Sequence, residues 1–225
     1  MRYTKTAVLL AMASLLVKFS AVAWAKDNTP PPGFKALFNG KNLKGWQGLV
    51  ELPQRAKLSK SELAAKHKEA NEKFLPHWTV RDGVIYYDGK GNSLQTAKDY
   101  GDFELWVDWK ITPKGDSGIY LRGNPQVQIW DPADNPVGSG GLYNNKNNPS
   151  NPSKAADKPV GEWNTFRIII NGDKVSVWLN GEQVVDQVTM ENYWEPGKPL
   201  PATGPIELQH HNSPLEFKNI YIKEL

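Results

Sequence analysis

No cysteine occurs among the 225 residues. That absence excludes a disulfide framework, a thiolate nucleophile and anchoring through a lipid-modified cysteine. Stability therefore has to come from an ordinary apolar core. Long apolar runs are missing too. The run at residues 7–17 is far short of the ~20 residues that cross a bilayer, so no membrane span is expected. Charge of one sign is also lacking, with 27 Lys and Arg against 24 Asp and Glu. A nucleic-acid partner needs a basic patch, and neither the balance nor any local run supplies one. Only four histidines are present, His67, His77, His210 and His211, with no H-x-H or H-x-x-x-H spacing for zinc. There is no Gly-x-Ser-x-Gly elbow, which argues against serine hydrolase chemistry. The Gly-rich run at residues 89–93 lacks a following Gly-Lys-Ser/Thr and a helix start, so it reads as a turn and not a phosphate loop.

What is present begins with an address. Arg2 and Lys5 precede the apolar run, and Ala23-Trp24-Ala25 has the small-x-small form of a signal-peptidase site. Residues 1–25 thus read as a cleavable signal peptide, which predicts a secreted or periplasmic protein. Its removal takes away Arg2, Lys5 and Lys18 and leaves a neutral chain. Residues 26–33, with prolines at 30–32, read as an extended leader that cannot join a central strand. Residues 34–225 fit one all-β domain, since sandwiches of ~200 to 250 residues occur as single units. Nine tryptophans and eight tyrosines, together with many amides, suit a surface on which sugars stack.

Period-two alternation carries the fold expectation. Along residues 103–111, Phe103, Leu105, Val107, Trp109 and Ile111 share one face, and Glu104, Trp106, Asp108 and Lys110 the other. Ile119 and Leu121 oppose Tyr120 and Arg122. In the next segment Gln126, Gln128 and Trp130 oppose Val127, Ile129 and Asp131, and either set could face a cleft. Asp82-Gly83, Asn171-Gly172 and Asn180-Gly181 mark hairpins. Ser59 and Glu62 have capping-box spacing ahead of an Ala/Lys/Glu-rich helix over residues 63–74, which reads as a lid or a surface insertion. Residues 132–159 form a long irregular loop, functional or poorly ordered, with 138–143 its most structured portion. The expected architecture is a two-sheet antiparallel jelly-roll sandwich with one short inserted helix.

A two-carboxylate glycosidase needs its carboxyl groups roughly 5 to 9.5 Å apart. Glu104 and Asp108 share a face, but four residues of strand separate their Cα atoms by ~13 Å. A partner from a distant strand, such as Asp131, stays open. Gln209 and His211 share a face if the segment around them alternates. Arg122 offers a fork of donors for an anionic or enolate oxygen, or a structural salt bridge with Glu104 or Asp108. An oxygen-rich site for a calcium-like divalent cation is open as well.

Several stretches in order carry a resemblance: GFKALFNG from Gly33, TAKDYGDFELWVDWKI, GDSGIYLRGNPQVQIWD, GLYNN, GEWNTFRI, VWLNGEQV and GPIELQHHNSPLEFKNIYIKEL. Nearly the whole chain after the expected signal resembles the 3-keto-disaccharide hydrolase family. The resemblance implies a concanavalin-like sandwich acting on a glycoside oxidised at C3, and a functional link to a sugar 3-dehydrogenase. Asp116 stands where the family often has Asn. His211 aligns with a family His, while His210 replaces an acid that would help hold a metal if other members use one. A C3 ketone acidifies the C2 proton, so the step needs one general base and one donor or positive charge for the enolate oxygen. The candidates are His211 or Glu104 as base and Arg122, with or without the cation, as stabiliser. Gln128, Asp131, Tyr143 and Gln209 would bind hydroxyls, and Trp106 or Trp130 would give a stacking platform. The competing expectations are a non-catalytic carbohydrate-binding module and a two-carboxylate glycosidase.

Overall fold

Strands dominate residues 27–225, the part of the chain that the computed structural model describes, and the signal-peptide expectation lies outside it. In chain order they are β1 (Lys35–Ala36), β2 (Trp46–Gly48), β3 (Trp78–Arg81), β4 (Val84–Tyr87), β5 (Leu94–Thr96), β6 (Phe103–Ile111) and β7 (Asp116–Leu121). They continue with β8 (Asn124–Trp130), β9 (Asn164–Asn171), β10 (Lys174–Leu179), β11 (Glu182–Thr189), β12 (Glu207–Leu208) and β13 (Leu215–Glu224). The larger sheet runs β11-β10-β9-β6-β13-β4-β3, with β1 paired to β13. The smaller runs β2-β5-β12-β7-β8. Neighbours pair antiparallel, and the chain folds as the expected two-sheet jelly roll.

The core is the set of inward residues that alternation picks out. Phe103, Leu105, Val107, Phe166, Ile168 and Ile170 from the larger sheet meet Leu94, Ile119, Leu121, Val127, Ile129 and Leu208 from the smaller, all fully buried. Each such side chain contributes about 1.5–3 kcal/mol relative to exposure. Because Val127 and Ile129 point inward, Gln126, Gln128 and Trp130 must face out of the smaller sheet. That settles which of the two sets looks away from the core.

Turn chemistry fixes the registers. Asp82-Gly83 and Asn180-Gly181 have both residues at positive φ, the type I′ geometry that matches strand twist. So do Arg122 and Gly123 between β7 and β8, at φ 56° and 64°, where the sequence pattern had placed Arg122 in a strand. The leader is tied down: Asn28 exchanges backbone–side-chain hydrogen bonds with Asn219, and Asp27 accepts one from Lys218 Nζ.

The inserted helix α2 (Lys60–Phe74) begins with the capping box of Ser59 and Glu62, one turn earlier than its Ala/Lys/Glu composition alone marks. A four-residue helix, α1 (Leu52–Arg55), precedes it. Helix α2 lies against the edge strand β2 so closely that a Cβ on Gly48 would sit 2.6 Å from the Ala70 carbonyl oxygen. An open strand edge is thereby covered, and one wall rises beside the outer face of the smaller sheet. The long irregular loop also follows that sheet, because Gly140 N–H donates to Gln128 O and Gln128 N–H to Gly141 O.

Candidate active site

The outer face of the smaller sheet carries polar side chains in cross-strand rows. The pairings Gln47↔Gln95, Gln95↔Glu207, Glu207↔Tyr120 and Tyr120↔Gln126 make one continuous row. One step along, Ser93, Gln209, Gly118 and Gln128 form the next, held by Gln209 N–H to Gly118 O and the Gly118↔Gln128 pair. Asp116 and Trp130 start a third. Gln95, Gln126, Gln128 and Glu207 are nonetheless buried, because α1, α2 and the segments around Trp194 and Pro205 wall this face. A cavity of about 120 Å³ opens between the sheet, α1 and the Trp194 and Pro205 segments, its lining including Glu51, Ser93, Gln95, Tyr120, Trp194, Glu207, Gln209 and His210.

Several of these polar atoms have nothing to bond. Both amide atoms of Gln95 are buried without a hydrogen-bond partner, as are Oε1 of Gln126 and Oε1 of Gln209. Buried polar groups are nearly always paired, and leaving one unpaired costs about 1–3 kcal/mol. Those of Gln95 and Gln209 lie on the cavity wall and make a surface prepared for a hydrogen-bonding ligand. Gln128 is different. Its amide donates to Asp116 Oδ1 and to the Ser117 and Ile129 carbonyls, and its oxygen accepts from Gln126, so it orders its neighbours.

Four titrating groups respond to this environment. Burial raises the Glu207 carboxyl to about 7; a hydrogen bond with Ser93 opposes the rise and the charge of Glu51 adds to it. Burial also raises Tyr120, with Glu207 the next cause, which keeps its phenol protonated. Asp116 is raised by burial against the opposing charge of His211 and the Gln128 hydrogen bond. His210 is lowered by burial and then by His211, and its Nδ1 lies 3.0 Å from Ser93 Oγ.

The sequence candidates divide sharply between the two sheets. His211 lies at the rim, its side chain half exposed and its Nδ1 3.7 Å from Asp116 Oδ2. The alternation that would put His211 and not His210 beside Gln209 does not continue, because β12 ends at Leu208 and His210 turns into the cavity. Gln128 and Gln209 are on the polar face. Trp130 and Tyr143 form an edge-to-face pair with ring centroids 5.5 Å apart, and Tyr143 is exposed.

Glu104 and Trp106 must be corrected. They lie on the outer face of the opposite sheet, where Arg167 Nε donates to Glu104 at 2.6 Å and the Arg167 guanidinium stacks 4.5 Å from the Trp178 ring. Arg122 is corrected as well, since the I′ turn swings it off the Tyr120 face. Buried, it donates to the carbonyls of Gly101 and Gly172 and pairs with Asp102, clamping the two sheets together. Its expected partners Glu104 and Asp108 are bonded elsewhere, Asp108 to Thr165 and Asn219. Asp131 caps a turn, accepting from the backbone N–H of Lys114 and Ala133. Base, stabiliser and hydroxyl ligand therefore do not converge from Glu104, Arg122 and Asp131.

Sequence reasoning missed Glu207, Gln95, Tyr120 and Glu51. One signal was available: in Glu207-Leu208-Gln209 the acid has the same parity as Gln209, so it shares that face. The calcium-like cation finds little support in the donors. Among the described residues no three His, Asp or Glu side chains cluster, and Asp116 with His211 makes only two ligands. Those two side chains alone do not fill the shell of roughly six to eight oxygens that such a cation takes.

Comparison with known proteins adds a family. Residues 33–223 match the model described as the 3-keto-alpha-glucoside-1,2-lyase-like domain. A relative from Bacteroides thetaiotaomicron named 3-keto-disaccharide hydrolase is 25% identical over 196 residues, covering 72% of this chain and 61% of the relative. The chain thus spans less than two thirds of that relative's length. A solved, provisionally named glycosyl hydrolase from Parabacteroides distasonis is 27% identical with a TM-score of 0.67, over 88% of this chain and 86% of that one. A non-specific endo-β-1,3(4)-glucanase shares the fold alone, at 12% identity and a TM-score of 0.50 over 88% of this chain and 95% of its own.

Proposed function

This chain belongs to the 3-keto-alpha-glucoside-1,2-lyase-like domain family, and from that premise we propose that it cleaves the glycosidic bond of 3-keto-glycosides on the polar face of its smaller sheet. The carbonyl at C3 makes the C2 proton removable. The resulting enolate expels the group at C1, and water then adds across the double bond. Such a route needs a base near neutrality and donors for the ketone oxygen, and no pair of carboxylates flanking the bond. In this reading a sugar 3-dehydrogenase supplies the ketone, and both proteins work outside the cytoplasm.

The observation that carries the reading is Gln95, fully buried beside the cavity with both amide atoms unpartnered. One donor and one acceptor on a single side chain match adjacent sugar oxygens. The Trp130–Tyr143 pair and His211 extend the binding surface toward the rim. Incubation of the purified protein with a 3-keto-glucoside and with its unoxidised parent tests the proposal. The expected result is turnover of the ketone only. Saturable sugar binding without any product would point to a carbohydrate-binding module instead.

A second reading rests on one observation: Glu51 and Glu207 line the same cavity, and the charge of Glu51 raises Glu207. An acid held protonated near a carboxylate is the equipment of a two-carboxylate glycosidase. Turnover of the unoxidised parent at a rate comparable to the ketone selects that reading.

A further inference from the structure

We propose that Glu207 is the base that removes the C2 proton, that Tyr120 is the hydroxyl donor to the enolate oxygen, and that Glu51 tunes Glu207. The assignment rests on the elimination chemistry proposed above and names its residues. Glu207 and Tyr120 face each other across the β12–β7 ladder, which sets their Cβ atoms about 4.5–5.5 Å apart. Both line the cavity, between the unpartnered amide of Gln95 and the unpartnered Oε1 of Gln209. A sugar ring held by those amides lies against both groups.

Neither residue is committed to the fold in the way the sequence candidates are. Glu104 is neutralised by Arg167 and Arg122 by Asp102. No Lys or Arg contributes to the ionisation of Glu207, whose influences are burial, Ser93 and Glu51. A buried carboxyl without a cation is destabilising, and such groups gather at functional sites. Its position near neutrality is matched to a base working at neutral pH. The Tyr120 hydroxyl accepts a 3.4 Å contact from Gln209 Nε2, which leaves its own proton for an acceptor in the cavity.

The electron count closes without an added reagent. Glu207 as carboxylate takes the C2 proton, the C–H pair becomes the C2=C3 bond, and the carbonyl pair moves onto O3, where Tyr120 donates a hydrogen bond. The enolate then reforms the C3 carbonyl while C1=C2 forms and the C1–O1 bond breaks. The departing oxygen takes the proton from Glu207. Water subsequently adds OH to C1 and H to C2.

The test compares wild-type protein with Glu207→Gln, Tyr120→Phe and Glu51→Gln, using a 3-keto-glucoside deuterated at C2. Turnover, loss of deuterium to solvent, and binding of the unoxidised parent are measured. Glu207→Gln should lose deuterium release about a thousandfold and Tyr120→Phe about a hundredfold, both still binding the parent sugar. The wild-type kcat/KM should rise with pH through about 7. Removing the charge of Glu51 should move that limb to lower pH. Deuterium release by Glu207→Gln within tenfold of wild type overturns the base assignment while leaving the reaction intact. A limb that stays in place in Glu51→Gln overturns the tuning. Wild-type protein that cleaves the parent but not the ketone overturns the proposed reaction, and the assignment with it.

Discussion

Replacing Glu207 by Gln should stabilise the protein, and by an amount that depends on pH. Folding raises this carboxyl from its usual 4.5 to about 7. At about 1.4 kcal/mol per tenfold change in proton affinity, that corresponds to about 3 kcal/mol. The sign follows from proton linkage. Below the unfolded value the group is neutral in both states and costs nothing. As pH rises between 4.5 and about 7, the unfolded chain releases its proton and the folded one keeps it, so stability falls; above that window the full penalty applies. A neutral Gln of the same shape avoids the penalty. Thermal unfolding of wild type and variant at about pH 4 and about pH 8 reads this directly. With ~2–4 °C per kcal/mol for a domain of this size, the variant should gain about 6–12 °C at the higher pH and almost nothing at the lower. An equal gain at both pH values, or a loss at about pH 8, refutes the claim that burial of an ionisable carboxyl is what sets this residue apart.

Further expectations concern the residues that the structure moves out of the site and those that it moves in. Arg122→Ala leaves Asp102 and the carbonyls of Gly101, Gly172 and Pro201 without the guanidinium and should cost about 3 kcal/mol in denaturant unfolding, with turnover per folded molecule unchanged. Glu104→Gln weakens a partly buried pair with Arg167 on the far face. It should cost about 1 kcal/mol and leave turnover within about twofold. Gly118→Ala puts a Cβ 2.8–2.9 Å from the Gln126 side chain. It should cost about 1–3 kcal/mol by overpacking and break the Gln126–Gln128 hydrogen bond on the polar face. Tyr143→Ala removes the exposed partner of Trp130 and should raise KM several-fold with kcat unchanged, measured by initial rates on the ketone.

The fold was legible because its signals are local. Alternation over Phe103–Ile111 identified the inward set correctly, and the Asp82-Gly83 and Asn180-Gly181 turns and the Ser59/Glu62 box formed where their chemistry demanded. The site was less legible, because its determinants are not local. Alternation states that Glu104 and Trp106 share a face but not whether that face walls a cavity or stacks on Arg167. It extended a strand through Arg122 where the chain turns, and through His211 where β12 has already ended.

The sequence by itself determined the elements, the turns, the inward residues and the family of the chain, since these depend on neighbours within a few positions and on motifs in order. Only the tertiary structure decided which polar face becomes a site. Glu51, Tyr120 and Glu207 are brought together from strands and helices far apart in the chain, and the raised carboxyl of Glu207 exists only because walls from other segments exclude water from it. Burial is a property of the assembled sheets, so no residue pattern along one strand could announce it.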